Sequence, residues 1–323
     1  KQDIMTRLGY QIPNFTYPFG TNVFQSVVNQ AQAAEAAGFD RVFVMDHFYQ
    51  LPGLGAPEEP MLECYTMLAA IAQHTRSVRL SSLVTGNTYR NPTLLAKTIT
   101  ALDHVSNGRA TLGIGAGWFE LEHDSLGYEF GTFTDRFEKL EEALQIIKPM
   151  LNGEKVSFSG KYYSVTDAVN FPAPISQIPI MIGGSGEKKT LRMVAQYANE
   201  SNLSRGTAQE IPQKLDALAA HCERLGRNRA EIKVTKLVMC CVAPTMEEAQ
   251  ADVKALAGVK GWNDEVMQML PHMFIFGDPD TVGEKLRELM NTGIDGLTIN
   301  LPVNGHNTDR IGLLGQVANA AIG

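Results

Sequence analysis

Cysteine is scarce in this sequence, and its spacing does not indicate a special chemistry. The 323 residues include four cysteines, and none of them forms a Cys-x-x-Cys pair or has the spacing of metal ligands. We therefore expect no metal site and no thiol redox centre. We expect reduced core cysteines instead, which are typical of the cytoplasm. The four are Cys64, Cys222, Cys240 and Cys241.

Long apolar runs are also missing. No segment approaches the roughly 18 consecutive apolar residues of a membrane span. Residues 1–7 lack the apolar stretch of a signal peptide. The sequence therefore predicts a cytoplasmic protein without a membrane partner.

Positive charge is not in excess, and two common hydrolase motifs are absent. The chain has 28 Lys and Arg against 35 Asp and Glu, which gives a net charge of −7. Such a chain has no overall positive field to attract nucleic acid, so we expect no nucleic-acid partner. The sequence contains neither a His-Glu-x-x-His helix nor a Gly-x-Ser-x-Gly elbow, which argues against a zinc hydrolase and a serine hydrolase.

What the sequence does contain is a regular alternation of short apolar runs with longer segments of helical periodicity. Eight strand–helix units follow one another, which predicts a single-domain (β/α)8 TIM barrel over residues 1–323. An open doubly wound sheet would need a glycine-rich fingerprint after the first strand, and residues 12–15 are not one. The strands are predicted at residues 7–12, 41–45, 79–84, 110–115, 180–183, 201–204, 233–242 and 296–301.

The helices between these strands have recognisable ends, and two segments do not fit the alternation. We interpret residues 155–179, with a hairpin, and residues 258–276 as insertions. The second is rich in Met and aromatic residues, so it could cover a pocket or be an ordinary packed excursion. The helices are predicted at residues 21–37, 61–73, 92–106, 135–151, 187–198, 211–225, from 246, from 281, and at 310–321.

A histidine directly follows the second predicted strand. His47 should lie at the barrel mouth, where TIM barrels carry their active sites, and the adjacent Asp46 could set its orientation. The alternative is a histidine of an ordinary surface loop. Phe48, the next residue, is a candidate for the wall of a substrate pocket.

Small residues follow the third and fourth predicted strands. The third strand turns from apolar to small and polar residues over 81–87, where a ligand would sit. After the fourth strand, Ala116 and Gly117 permit a flat ligand to approach the backbone. We expect no helix close enough to present its N-terminus there. Trp118 could form a pocket wall or pack in the core.

Glycines follow the fifth predicted strand. Gly183, Gly184, Ser185 and Gly186 lead into a helix that we expect to start at residue 187, and free N–H groups at such a start bind anions. A tight turn without a ligand is the alternative. Three cations lie nearby in sequence, Lys188, Lys189 and Arg192.

Together these segments resemble the bacterial luciferase-like superfamily, and most closely its oxidoreductases that use the deazaflavin coenzyme F-420. The resemblance extends over nearly the whole chain and is weakest in the two insertions. It is carried by residues 46–48, 82–87, 89–92 with 94–97, 107–109 and 115–118.

The resemblance implies roles for individual residues. Asp46 and His47 would lie over the coenzyme ring and the substrate, and residues 183–186 would hold the coenzyme phosphate. A non-prolyl cis peptide bond is implied between Ser82 and Leu83, behind the ring. Further ring and ribityl contacts are implied for Thr85, Ala116 and Gly117.

The chain departs from this family pattern at one position. Sugar-phosphate dehydrogenases of the family carry a glutamate where this chain has Trp118, so the sequence argues against a sugar phosphate substrate. Glu120, Glu122 or His123 could supply an acid instead. The sequence alone does not choose among them.

The main functional hypothesis is hydride transfer between C5 of F-420 and a small organic substrate, with His47 as proton donor or acceptor. Trp118 and Phe48 favour an apolar or aromatic substrate. One alternative is an FMN-dependent two-component monooxygenase, which would need a separate flavin reductase. Another is a flavin-binding protein without catalysis. A homo-oligomer is compatible with the sequence, and the direction of hydride transfer stays open.

Overall fold

The computed structural model describes residues 7–323, and the side chain of Pro271 is outside this description. Residues 1–6, which contributed to the signal-peptide prediction, also lie outside the described residues. Within residues 7–323, no helix combines the length and the apolar character that a membrane crossing needs.

The main sheet is a closed parallel barrel, as predicted. In hydrogen-bonded order its strands are Arg79–Ser82, Arg41–Val44, Leu8–Ile12, Gly296–Asn300, Lys233–Val242, Glu200–Leu203, Ile180–Gly183, Leu112–Gly115 and Thr85–Gly86. The last of these continues the first after a two-residue interruption. A parallel bridge between Leu80 and Ala110 adds to the contact between the third and fourth of the eight predicted strands. The strands are β1 (Leu8–Ile12), β2 (Arg41–Val44), β3 (Arg79–Ser82), β4 (Thr85–Gly86), β5 (Leu112–Gly115), β8 (Ile180–Gly183), β9 (Glu200–Leu203), β10 (Lys233–Val242) and β12 (Gly296–Asn300).

Helices surround the barrel, and most begin at the residue types expected from the sequence. Pro92 occupies the first turn of its helix, and the Asn91 side chain accepts a hydrogen bond from the amide of Thr93. The helices are α1 (Val23–Ala36), α2 (Cys64–His74), α3 (Pro92–Val105), α4 (Glu120–Leu126), α5 (Phe133–Leu151), α6 (Thr190–Tyr197), α7 (Ile211–Leu225), α8 (Met246–Lys260), α9 (Asp264–Met273), α10 (Pro279–Met290) and α11 (Thr308–Ile322).

Two helix starts at the barrel mouth differ from the expectation. We expected no helix close behind the fourth predicted strand, yet α4 begins five residues after β5 ends. We expected a helix from residue 187, but residues 187–189 form a turn and α6 starts at Thr190. Both differences change the geometry of the barrel mouth.

The two insertions are ordered. Residues 155–179 contain the predicted hairpin, formed by β6 (Val156–Ser159) and β7 (Ser164–Ala168). Residues 258–276 contain α9 and lead into β11 (Ile275–Gly277), which extends the sheet beside β10. Leu270 and Phe274 of this segment are buried in a small apolar cluster with Cys241 of β10. The second insertion therefore packs against the end of the barrel.

The lower end of the barrel interior holds a buried ion pair. The guanidinium of Arg41 donates two hydrogen bonds to the Glu200 carboxylate, at 2.7 and 2.9 Å. Both residues open their strands, so the pair lies at the amino ends, away from the mouth. Polar groups at the other end of the barrel are therefore the ones available to a ligand.

Candidate active site

His47 lies at the barrel mouth and is held by a buried carboxylate. Nδ1 of its ring lies 2.9 Å from Oε2 of Glu122, and only 11% of the His47 side chain is exposed. His47 comes from the loop after β2, and Glu122 comes from the first turn of α4. The unexpected short helix thus brings the carboxylate to the histidine.

Glu122 is ionised and accepts hydrogen bonds from several donors. Burial alone would raise its pKa. Hydrogen bonds from His47, from Tyr89 and from the amide of Tyr49 outweigh burial and hold the pKa of Glu122 below its ordinary value. The amide of Phe48 also donates to it. Burial and the adjacent carboxylate raise the pKa of Tyr89, which keeps its hydroxyl protonated as a donor.

This carboxylate fixes the tautomer of His47. Because ionised Glu122 can only accept, Nδ1 of His47 must carry the proton. Within residues 7–323, no hydrogen bond engages the other ring nitrogen, Nε2. Nε2 is therefore the atom that can accept a proton from a substrate, or return one after the ring has been protonated.

Asp46 does not take the role that its position suggests. Its carboxylate receives two hydrogen bonds from the Arg90 guanidinium, at 2.6 and 2.8 Å, and one from the amide of Gly86 at 2.9 Å. Asp46 is buried, so these bonds tie the end of β2 to β4. The expectation that Asp46 orients His47 is corrected, since Glu122 does so.

Within the described residues, the other two acids considered from the sequence form no hydrogen bond with His47. Glu120 is exposed on α4. Nδ1 of His123 lies 2.7 Å from the backbone oxygen of Phe119, and Nε2 of the same ring lies 2.7 Å from Oγ1 of Thr88. Because a carbonyl only accepts, Nδ1 of His123 donates and Nε2 accepts from Thr88. His123 is thus a structural residue.

Aromatic side chains surround His47. The rings of Trp118 and Phe119 meet the imidazole edge-on, with centroids 5.7 and 5.9 Å away. Phe48 contacts Tyr89 at 4.9 Å between centroids. Phe119 is buried, but 56% of Trp118 remains exposed, so the Trp118 face is available to a ligand. This agrees with the predicted pocket position of Trp118, whose role remains a prediction.

The cis peptide bond occurs one residue later than expected. It joins Leu83 to Val84, not Ser82 to Leu83. A Cβ atom on Gly115 or Gly183 would lie 2.9 or 2.8 Å from a methyl carbon of Val84. Glycine on β5 and on β8 thus leaves room for Val84, which is partly exposed. Leu83 and Val84, with these two glycines, form an apolar surface at the mouth, which we call the floor.

Ser82 and Thr85 lie beneath this floor. Both are buried, their hydroxyl oxygens lie 2.5 Å apart, and the Ser82 hydroxyl donates to the backbone oxygen of Gly113 at 3.1 Å. Thr85 also shares a hydrogen bond with Tyr65. Their side chains therefore support the floor. The Thr85 side chain is fully buried and its hydroxyl is bound to Ser82 and Tyr65, so this side chain does not face the mouth, where a direct contact with the ring was expected.

The Gly183–Gly186 segment forms a loop with free amides. The N–H of Gly184 donates to Asn202, but within the described residues the N–H groups of Ser185, Gly186, Glu187 and Lys188 donate no hydrogen bond. Gly184 has a φ of +127°, a conformation that favours glycine. Successive unpaired amides of this kind form an anion site. Ala116 and Gly117 border the mouth and are partly exposed.

The cations near this loop differ from those expected. Arg192 is paired with Glu141 at 2.7 Å, and Lys189 lies over the Phe133 ring at 4.9 Å. Lys188 is exposed. A lysine that the sequence did not single out, Lys214, donates to the backbone oxygen of Ser185 at 3.2 Å.

The residues present fit a flavin-like coenzyme with a phosphate group. The floor at Leu83 and Val84 suits a planar ring, the free amides from Ser185 onward suit the phosphate, and His47 lies at the same mouth. This fit does not distinguish a deazaflavin from FMN, since both carry a planar ring and a phosphate.

Comparison with known proteins places this geometry in a family. Residues 6–296 match the family described as luciferase-like monooxygenase. An F-420-dependent glucose-6-phosphate dehydrogenase of Microbacterium testaceum is 28% identical over 95% of this chain and 94% of its own. An F-420-dependent secondary alcohol dehydrogenase, solved with an F-420–acetone adduct, has a TM-score of 0.79 at 19% identity, covering 98% and 99% of the two chains. A riboflavin lyase with modified FMN has a TM-score of 0.80 at 16% identity, covering 98% and 92%. The chain belongs to the bacterial luciferase-like family.

Proposed function

We propose that the protein is an oxidoreductase that transfers a hydride between coenzyme F-420 and a small organic substrate. The named relative with 28% identity over nearly the whole chain is F-420-dependent, and the barrel mouth has a floor and an anion loop that suit this coenzyme. When bound, the deazaflavin would supply C5, a carbon atom that can accept or donate a hydride and with it two electrons.

The observation that carries the proposal is the hydrogen bond from His47 Nδ1 to the buried Glu122 carboxylate, at 2.9 Å. Oxidation of an alcohol to a carbonyl breaks a C–H and an O–H bond, so it releases a proton as well as a hydride. Nε2 of His47 accepts that proton, and the charge of Glu122 stabilises the imidazolium that results. In the reverse direction the same atom donates the proton to the forming alkoxide.

The other side chains of the site prepare this proton transfer. Tyr89 and the amides of Phe48 and Tyr49 keep Glu122 ionised and fixed in place. Trp118 and Phe119 pack on the edges of the imidazole and shield it from water. Residues 185–188 would hold the coenzyme phosphate with their amides.

The dyad of His47 and Glu122 favours this reaction over the two alternatives. A monooxygenase that received reduced FMN from a separate reductase could use the same floor and anion loop. A protein that only stored a flavin would not need an oriented proton acceptor. A charged partner behind one ring nitrogen and an unbonded second nitrogen are what alcohol–carbonyl interconversion requires.

The test is turnover with each coenzyme. The purified protein with F-420 and a secondary alcohol should reduce the deazaflavin, seen as loss of its visible absorbance, without oxygen uptake. Oxygen consumption and a hydroxylated product with reduced FMN, together with no reduction of F-420, would refute the proposal. A cytoplasmic location, the lack of a nucleic-acid partner and a homo-oligomeric state remain predictions.

A further inference from the structure

Within residues 7–323, the cations at the half of the barrel mouth that holds His47 are already bound to carboxylates or to backbone carbonyls. We infer that the substrate is an uncharged secondary alcohol, or its ketone, with an apolar or aromatic substituent, and not a sugar phosphate. This inference rests on the proposed function, because it concerns the molecule that meets Nε2 of His47.

Four segments at this half of the mouth, which follow β1, β2, β5 and β12, lack Lys and Arg side chains. These segments are residues 13–22, 45–63, 116–132 and 301–307. They do contain eight carboxylates. Four of these are paired with Lys or Arg, which are Asp46, Glu59, Glu63 and Glu129. Glu58, Glu120, Glu122 and Asp124 have no Lys or Arg partner among the described residues, so this half keeps an excess of negative charge. In a cleft, charges of one sign repel a ligand of the same sign.

Cations that reach this half from other segments are already paired, including Lys139, which lies 3.1 Å from Glu129. Arg90 is bound to Asp46, and Lys260 from α8 is bound to Glu59 at 2.8 Å with its own side chain only 1% exposed. Arg136 donates to two backbone carbonyls and stacks on an aromatic ring. Binding a phosphate to any of these would require breaking an existing interaction.

The available positive charge lies on the other side, beside the anion loop. Lys188 belongs to that loop and is exposed. Lys214 donates to the backbone oxygen of Ser185 and lies 3.5 Å from Glu187, a longer ion pair than those on the other half. Arg205 follows β9, and its amide donates to the Ser185 hydroxyl at 2.8 Å. Because the proposed function places the coenzyme phosphate on the amides of residues 185–188, these cations lie beside the coenzyme phosphate and not beside the substrate. The mouth is thus divided into a cationic coenzyme side and an acidic, aromatic substrate side.

The surface that the substrate would touch is aromatic. Trp118 keeps 56% of its surface exposed while its ring edge lies against His47. An exposed aromatic face beside a proton acceptor provides apolar contact for a substituent next to a hydroxyl. A phosphorylated polyol would gain little from this face.

The experiment compares matched substrates on the protein loaded with F-420. Mandelate is 1-phenylethanol with its methyl group replaced by a carboxylate, so the pair differs mainly in charge. We expect kcat/KM for 1-phenylethanol to exceed that for mandelate by at least about tenfold, and glucose 6-phosphate not to be oxidised. Cyclohexanol and 2-propanol extend the neutral set. Equal or better turnover of mandelate or glucose 6-phosphate, or no turnover of any neutral alcohol, would overturn the inference.

A binding measurement tests the inference without turnover, and a variant tests it through the separate changes in KM and kcat. Calorimetry should detect the ketone acetophenone binding more tightly than phenylglyoxylate, its carboxylate analogue, and the reverse order would contradict the inference. Trp118→Ala should raise KM for 1-phenylethanol more than it lowers kcat, with unchanged F-420 affinity. Phe171→Ala removes an aromatic ring that is 82% exposed on the segment along α3, so it serves as the control without effect.

The proposed function and the inferred substrate class can be refuted separately. A fluorescence titration with F-420 comes first, and absence of coenzyme binding would refute the proposed function. Tight coenzyme binding followed by preferred turnover of an anionic alcohol would leave the proposed function intact and refute only the substrate class.

Discussion

Replacing Glu122 with glutamine removes the charge behind His47 while keeping the size of the side chain. The carboxylate accepts hydrogen bonds from His47 Nδ1, from the Tyr89 hydroxyl and from the amides of Phe48 and Tyr49. An amide has only one oxygen to accept them, and its NH2 group would face one or more of these donors. Glu122→Gln therefore weakens both the imidazolium formed during the reaction and the loop that carries His47.

The size of the effect on turnover follows from the bond that is lost. A hydrogen bond to a charged group contributes about 1.5–3 kcal/mol, which corresponds to a fall in kcat of roughly 10- to 150-fold. The F-420 affinity should not change, because the anion loop and the floor are formed by other residues. Donors left unpaired beside the new amide should lower the free energy of unfolding by about 1–3 kcal/mol.

The contribution of Glu122 to the free energy of unfolding depends on pH. Since the pKa of Glu122 is below its ordinary value in the folded protein, the carboxylate stabilises the fold above its unfolded pKa. That stabilisation is lost as the pH falls through the folded pKa. Acid unfolding of the wild type should therefore include this contribution, and the Glu122→Gln variant should lack it.

The assay combines steady-state kinetics with ¹⁵N NMR of the histidine ring. We expect the wild type to show a His47 proton on Nδ1 and the variant to lose this preference. Glu120→Gln is the matched control, since Glu120 is exposed on the same short helix. Wild-type kcat together with an unchanged Nδ1–H tautomer in Glu122→Gln would refute the reasoning.

Three further predictions concern other parts of the molecule. His47→Gln should lower kcat by roughly 10²- to 10⁴-fold with unchanged F-420 affinity in a fluorescence titration, and an equal loss of affinity would contradict its role as proton acceptor. Gly184→Ala forces a side chain onto a φ of +127° at a cost of about 1–3 kcal/mol and should weaken F-420 binding. Gly226→Ala, at a φ of +66° after α7, should reduce stability alone. Burial lowers the pKa of Lys236 to about 8 from 10.5, so its charge destabilises the fold below pH 8, and this cost falls as the pH rises towards 10.5. Lys236→Met should therefore raise the free energy of unfolding at pH 7 by up to about 3 kcal/mol, and chemical denaturation should show this gain shrinking between pH 8 and 10.5.

The barrel was predictable because its elements are long and strongly periodic. Continuous apolar strands such as Arg41–Val44 and capped helices such as Pro92–Val105 carry their own start and stop signals. Short elements lack such signals. The seven residues of α4 contain three acidic residues and no capping side chain, and only the left-handed Gly127 marks their end. The start of α6 was missed for the same reason, since Lys189 offers no side-chain cap.

The candidate site was predictable to the level of its segments but not of its contacts. His47 and the Gly183–Gly186 loop are located by their position after buried strands, which the sequence shows directly. The choice of Glu122 depends on where α4 begins and which side of it faces the barrel. Asp46 is adjacent to His47 in sequence, but its partner Arg90 lies 44 residues away. Contacts between residues this far apart in sequence form only when the barrel assembles, so the spacing of neighbouring residues does not predict them.

The most direct test of the account is a binding comparison of F-420 and FMN by the purified apoprotein. Fluorescence titration of both ligands under identical conditions reports the two dissociation constants. We expect saturable F-420 binding that is tighter than the binding of FMN, because the relative that is 28% identical over 95% of the chain depends on F-420. Tight FMN binding with no binding of F-420 would contradict it.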